Sequence, residues 1–197
     1  VSYAIDSYYC AWLMTHYEEE WLCAYLESMS VNPDKRKKAF SEVKKLGYKI
    51  APIDINYATK NWTILEGKKF MPSFLSCKGV GVAAIDEIVA CRPYKSIDNL
   101  LWLSDGKWKH SKFNKRALES LIKIKAFDSM DLIGNGKVFS SYKQMHEILI
   151  TNNSTIKKWT KRDPDRGKNA FKELLIESVG MEEWTSAELA EAGMSVL

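Results

Sequence analysis

Residues 77–90 read CKGVGVAAIDEIVA, and the glycines at 79 and 81 decide how the rest of the chain is read. A lysine leads into them, and a helical run follows at once over residues 82–90. A helix N-terminus leaves N–H groups without partners and is the positive end of the helix dipole. An anion can accept from those groups when the backbone comes close, and a Cβ at the point of approach would obstruct it. Gly79-Val80-Gly81 is therefore a candidate anion-binding turn between two helices. Val80 is placed to plug the turn into the core, and Lys78 adds a charge worth about 1–2 kcal/mol in a charge-assisted contact. Gly-x-Gly also closes ordinary turns, so the tripeptide alone does not choose. Two other glycine patterns are excluded. Gly81 is followed by Val82, Ala83 and Ala84, which fits neither GxxxxGK[ST] nor GxGxxG.

At 197 residues the chain has room for one ordinary domain or two small ones, and 46% hydrophobic content supports a sizeable core. No apolar run approaches the roughly 18 residues that a membrane span needs. The opening VSYAIDSYYC lacks the layout of a signal peptide and starts without Met inside a helical pattern, so a fragment is expected. The four cysteines, Cys10, Cys23, Cys77 and Cys91, form no CxxC pair and no zinc-type spacing. They read as buried, reduced thiols of a cytoplasmic protein. The net charge of +4 is unevenly spread. Residues 1–30 hold five acids and no Lys or Arg, residues 31–130 hold 20 basic against 10 acidic residues, and residues 131–197 hold 9 against 10. The positive potential belongs to the middle of the chain, which suits a phosphate backbone as well as a solvated lysine face.

Tyr9, Trp12, Leu13 and Tyr17 recur at helical spacing, as do Trp21, Cys23, Ala24 and Leu26, so residues 1–30 predict one or two helices with aromatic core stripes. Asn32-Pro33-Asp34 caps a helix over 34–46, with Phe40, Val43 and Leu46 inward and Gly47 ending it. Residues 48–57 look extended, with Pro52 confining them to an edge. Residues 62–65 and 69–71 flank Glu66-Gly67-Lys68 as a short hairpin. Helices are predicted after Ser96, over 114–123, 138–150 and 168–178, and over an acidic stretch from Glu182 to Ala190. Asn152-Asn153-Ser154 and Arg162-Asp163-Pro164-Asp165 read as loops.

Leu75 to Ile85 follows the helix-hairpin-helix signature h-x-x-K-G-V-G-x-x-x-A up to its last position, where Ile85 stands for alanine; such modules bind duplex DNA without sequence preference. About 35 residues on comes FNKRALESLIKIKAFDSM (113–130), and residues 107–125 carry seven Lys/Arg against the single acid Glu119. Together these stretches resemble the C-terminal fingers and tandem helix-hairpin-helix region of the DNA polymerase III alpha family, the C-family replicative polymerases. VSYAIDSYYCAWLMTHYEEEWLCAYLESM is similar to that family's fingers helices, KKLGYKIAPIDIN to the segment joining fingers to hairpins, and EEWTSAELAEAGMSVL to the acidic helix beyond. The resemblance covers most of residues 1–130 and thins out afterwards. The family usually has glycine in the place of Lys125, so a reshaped second hairpin is expected. Pro72 and Ser73 depart as well, which marks a divergent member.

The resemblance implies a mainly α fold with a small β hairpin: a helical fingers piece (1–47), an extended connector (48–75), a tandem helix-hairpin-helix region (76–130) and a helical tail (131–197). It implies duplex primer–template DNA as partner, with the sliding clamp and other replisome subunits beyond it. Backbone N–H groups around Gly79, Val80, Gly81 and Ala83 are expected to hold one phosphate, supported by Lys78. Lys112, Lys115, Arg116, Lys123 and Lys125 are expected on the other strand or the flanking backbone. The family's catalytic aspartates and their Mg²⁺ lie in a palm domain upstream, so no cofactor and no catalysis are expected from this stretch. Asp6 and Asp54 are isolated, and His16, His110 and His146 share no motif with a nucleophile. Gln144 to Leu149 has a clamp-peptide composition but sits in a predicted helix. Two other classes stay open: the hairpin module of a DNA repair enzyme, and a protein-interaction module using the tryptophans and the acidic tail.

Overall fold

The computed structural model describes residues 2–188 and 190–191, without the side chains of Trp159 and Thr160. The fold is mainly helical with one small sheet. It divides into two compact units, one running up to Ile53 and resuming over Ala58–Ser76, the other made of Asp54–Tyr57 and of the chain from Cys77 onward. The expected connector is thus shared between them, because residues 54–57 pack with the later unit.

In the first unit, helix α1 (Ser2–His16) is followed by α2 (Glu18–Met29) and α3 (Pro33–Lys45). The α3 start is set by Asn32, whose side chain accepts from the N–H groups of Asp34 and Lys35. Its end is set by Gly47 at φ +86°, where the Gly47 and Tyr48 N–H groups donate back to Lys44 and Val43. Strands β1 (Lys49–Ile50), β2 (Thr63–Leu65) and β3 (Lys69–Met71) follow. The expected hairpin is β2–β3, and β1 adds to it in parallel, giving the order β1-β3-β2. Strand β1 ends before Pro52, which cannot donate to a ladder. Leu22, Leu26, Ala39, Val43, Tyr48, Trp62 and Phe70 form the core. Two expectations need correction here. Leu46 caps α3 and is exposed, while Ala39 takes the buried position. The stripe of α1 is open to solvent: Tyr9 is 59%, Trp12 42% and Tyr17 51% exposed, and α1 buries no residue. Apolar spacing defines a helix face; it does not say what covers that face. Cys10, on the same helix, is exposed rather than buried.

The second unit holds α4 (Val82–Ala90), α5 (Ile97–Leu101), α6 (Lys115–Lys123), α7 (Tyr142–His146), α8 (Asn153–Arg162) and α9 (Pro164–Glu177), with a π turn over Glu147–Thr151. Helix α6 turns Ala117, Leu118, Ser120, Leu121 and Ile122 inward. The predicted loop at Asn152-Asn153-Ser154 is instead a helix junction. Asn152 Nδ2 donates to the Glu147 carbonyl and Asn153 Nδ2 to the Leu149 carbonyl, so these polar side chains satisfy helix-end acceptors. The acidic helix starts later than expected, after Thr185, whose N–H donates to Glu188 while its hydroxyl accepts from the Glu188 N–H. Leu189, within that predicted helix, lies outside the described residues.

Residues 54–57 act as a staple within this unit. Asp54, only 9% exposed, accepts from the Asn56 N–H, the Ser129 N–H and the Ser129 hydroxyl. Asn56 exchanges hydrogen bonds with the Tyr94 backbone in both directions, and Ile55 N–H donates to the Ala126 carbonyl. Asp54→Asn would turn one acceptor oxygen into an N–H₂ facing donors. We expect it to cost about 1–2 kcal/mol in a urea titration of the chain; an unchanged midpoint would refute the staple.

Candidate nucleic-acid interface

The glycine turn starts the second unit at Cys77. Cys77 is buried, and burial pushes its thiol up to about 12. The Val80 N–H donates to the Cys77 carbonyl, and the Val80 side chain is 5% exposed, so the plug between the glycines is in place. The limb before the turn is a single 3₁₀ turn, Phe74–Ser76, not a full helix. Its first residues are pinned by Ser73, whose hydroxyl accepts from the Leu75 N–H.

The two glycines differ. Gly79 has φ +88°, a left-handed conformation, and a Cβ there would stand 2.8 Å from Arg116 Cγ and 3.0 Å from Arg116 Nε. Gly81 is the N-cap of α4 at φ −92° and ψ 166°, with open space where a Cβ would be. Among the described residues no acceptor is recorded for the N–H groups of Gly79, Gly81, Val82 and Ala83. Gly81 and Ala83 are exposed, and so is Lys78. The turn therefore offers several free N–H groups at the positive end of a nine-residue helix.

Helix α6 is locked to this turn. Ser120 Oγ donates to the Lys78 carbonyl at 2.6 Å, and Arg116 lies along Gly79. The loop before α6 is held by Glu87 of α4, which accepts from the N–H groups of Ser111, Lys112 and Phe113 and from the Ser111 hydroxyl. Burial works to raise the Glu87 pKa, but those backbone donors outweigh it and hold the carboxyl below its usual value. Asn114 then caps α6 by accepting from the Ala117 N–H. Arg116 is thereby brought to the glycine turn, with Lys112 and Lys115 exposed on the loop and first turn beside it.

Lys123 and Lys125 lie at the other end of α6, about 12 Å away along the helix axis. Lys123 is ion-paired with Glu119 at 2.9 Å. Lys125 stands 3.8 Å from Glu183 and 5.6 Å from the Tyr142 ring centroid. Lys125 also forms the second turn. At φ +59° it occupies the left-handed position that ends α6, with its N–H donating to Ile122 and the Ala126 N–H to Leu121. This is the same closure that Gly47 gives α3, so lysine keeps the turn that glycine was expected to need, at a strain of about 1–2 kcal/mol. The Tyr142 hydroxyl helps hold it, within hydrogen-bonding distance of the Lys125 carbonyl and the Asp128 carboxylate.

Sequence reading missed Ser120, Glu87, Asp54 and Asn56, which position the turns without belonging to any motif. The Gln144–Leu149 segment is buried: Gln144 binds the Ser140 N–H, the Leu175 carbonyl and Ser178, and Met145 and Leu149 are fully enclosed. It presents no peptide to a partner. Among the described residues no group of three or more His, Cys, Asp or Glu side chains is arranged to hold a metal. No described helix is long and apolar enough to cross a membrane.

Residues 47–134 match the family model of the helix-hairpin-helix motif. The chain is 33% identical over 129 residues to the DNA polymerase III subunit alpha of Pasteurella multocida, which covers 66% of this chain. Over about two thirds of its length the chain is similar to DNA polymerase III alpha subunits. The corresponding subunit of Campylobacter jejuni is 36% identical over 133 residues, 64% of this chain, and that of Escherichia coli 30% over 133 residues, 66% of this chain. The match takes in 11% of each of these three relatives, so the chain spans about a tenth of the length of the curated alpha subunits it matches.

Proposed function

We propose that this chain binds duplex DNA without sequence preference, as the backbone-gripping part of a replicative DNA polymerase. The observation that carries the reading is the α4 N-terminus: the N–H groups of Gly79, Gly81, Val82 and Ala83, without acceptors among the described residues, opened by Gly81 and flanked by exposed Lys78 and Arg116. Amides accept any phosphate and read no base, which is what a polymerase moving along arbitrary sequence requires. Lys112 and Lys115 extend the grip along the backbone. Lys123 and Lys125, already facing Glu119 and Glu183, contribute only by exchanging those carboxylates for phosphates. Nucleotide transfer and Mg²⁺ binding belong, on this reading, to parts of the polymerase outside the stretch.

The test is a titration of the 197-residue chain against a labelled primer–template duplex at several salt concentrations. With about three phosphates neutralised, a fourfold rise in salt is expected to weaken binding about fortyfold, equally for unrelated sequences. Binding that ignores salt, or none by folded protein, refutes the reading. In that case the exposed aromatic face of α1 favours the second reading, a protein-interaction module.

A further inference from the structure

The charges of the tail are segregated. Residues 157–172 hold seven cations against two acids, and residues 173–197 hold six acids and no Lys or Arg. Part of the acidic stretch folds back over the start of α7 and the second turn. Its beginning is pinned by uncharged bonds: the Ser140 and Ser141 hydroxyls both donate to the Met181 carbonyl, at 3.1 and 2.8 Å. Glu183 accepts from the N–H of Tyr142, the first residue of α7, and faces Lys125 Nζ at 3.8 Å. The Trp184 ring lies 5.7 Å from that of His146, centroid to centroid, and Glu188 pairs with Lys143 at 3.2 Å.

The two ends of the candidate interface therefore differ. Among the described residues no ion pair engages Lys78, Lys112 or Lys115 beside the glycine turn. At the second turn Lys125 and Lys143 each face a carboxylate of the segment 181–188. A carboxylate oxygen takes the place beside an ammonium that a phosphate oxygen would take, and the two anions repel each other. The hold is releasable. The Lys125 and Glu183 side chains are 37% and 34% exposed, and pairs so placed are weak and screened by salt. The Met181 anchor carries no charge, so it keeps the carboxylates at high local concentration when the pairs open.

We propose that residues 181–188 form an autoinhibitory strap, whose Glu183 and Glu188 carboxylates occupy Lys125 and Lys143 and must leave them before duplex phosphates bind at the second turn. The strap rests on the DNA-binding reading above and adds to it an internal competitor. Duplex affinity is then set partly by how tightly the chain holds its own acids.

The test is a double-mutant cycle on the 197-residue chain: duplex affinity of wild type, Glu183→Gln, Lys125→Met and the double variant, at low and high salt, with urea midpoints matched. Glu183→Gln keeps an oxygen for the Tyr142 N–H and removes only the charge. It is expected to tighten duplex binding about threefold at low salt, with the gain shrinking as salt rises. In the Lys125→Met background the gain should vanish. Glu177→Gln, an exposed acid at the end of α9, controls for overall charge. No gain from Glu183→Gln, a gain that persists without Lys125, or an equal gain from Glu177→Gln overturns the strap while leaving DNA binding in place. Wild type and Glu183→Gln both failing to bind would instead overturn the DNA-binding reading, and the strap with it.

Discussion

Gly79→Ala is expected to destabilise the chain by about 2–3 kcal/mol, and Gly81→Ala to leave its stability almost unchanged. At φ +88° a Cβ costs about 1–2 kcal/mol in backbone strain alone. The new methyl would also meet Arg116 at 2.8 Å, so the arginine must leave its place beside the turn. Nothing comparable happens at Gly81, whose backbone is extended and whose Cβ position is empty. Alanine is a poorer N-cap than glycine, but it also narrows the unfolded ensemble by about 0.4–1 kcal/mol, and the two effects nearly cancel. Urea denaturation of both variants checks the contrast. Equal losses would mean that the glycines serve one structural purpose, and the division drawn here would fail.

The second large effect is expected at Glu87. Its carboxylate takes three backbone N–H groups and one hydroxyl from residues 111–113, so Glu87→Ala strands four donors at once. The site is half-buried, so water can reach some of them, and the expected loss is about 2–4 kcal/mol rather than the full sum. The pH dependence has a definite sign. The folded-state pKa of Glu87 lies below its unfolded value, so its contribution is complete above the ordinary carboxylate pKa. That contribution is lost as pH falls through the depressed folded value. Wild type should therefore lose stability in acid more steeply than Glu87→Ala over that window. Parallel acid profiles, or a variant within about 0.5 kcal/mol of wild type, would show that residue 87 does not hold the loop.

These two sites mark the limit of what the sequence disclosed. Capped helices were legible because caps are local: Asn32, Ser96 and Asn114 each accept from N–H groups two or three residues ahead, as their spacing announced. The pair Gly79 and Gly81 was legible as a turn, but the spacing did not show that Gly79 is left-handed beside Arg116 while Gly81 caps α4 in an extended conformation. Glu87 carried no local signal because its donors lie 24 to 26 residues away. At Lys125, where the family pattern has glycine, the closing hydrogen bonds to Ile122 and Leu121 and the Tyr142 hydroxyl hold a lysine left-handed, which spacing alone could not show. The stripe of α1 announced an apolar face and could not announce its exposure. The basic run 157–172 disappeared in a tail whose charges nearly balance, because averaging 9 cations against 10 acids erases a local surplus.

The central claim is that the α4 N-terminus holds a phosphate through its own amides. Gly81→Ala tests it most directly, because that substitution is expected to leave the fold alone and to place a methyl where the phosphate must approach. Duplex affinity of wild type and Gly81→Ala should be measured at one low salt concentration, after equal urea midpoints have been established. A loss of about 1–3 kcal/mol in binding at unchanged stability is the predicted result. A variant that is equally stable and binds the duplex as wild type does would contradict the account.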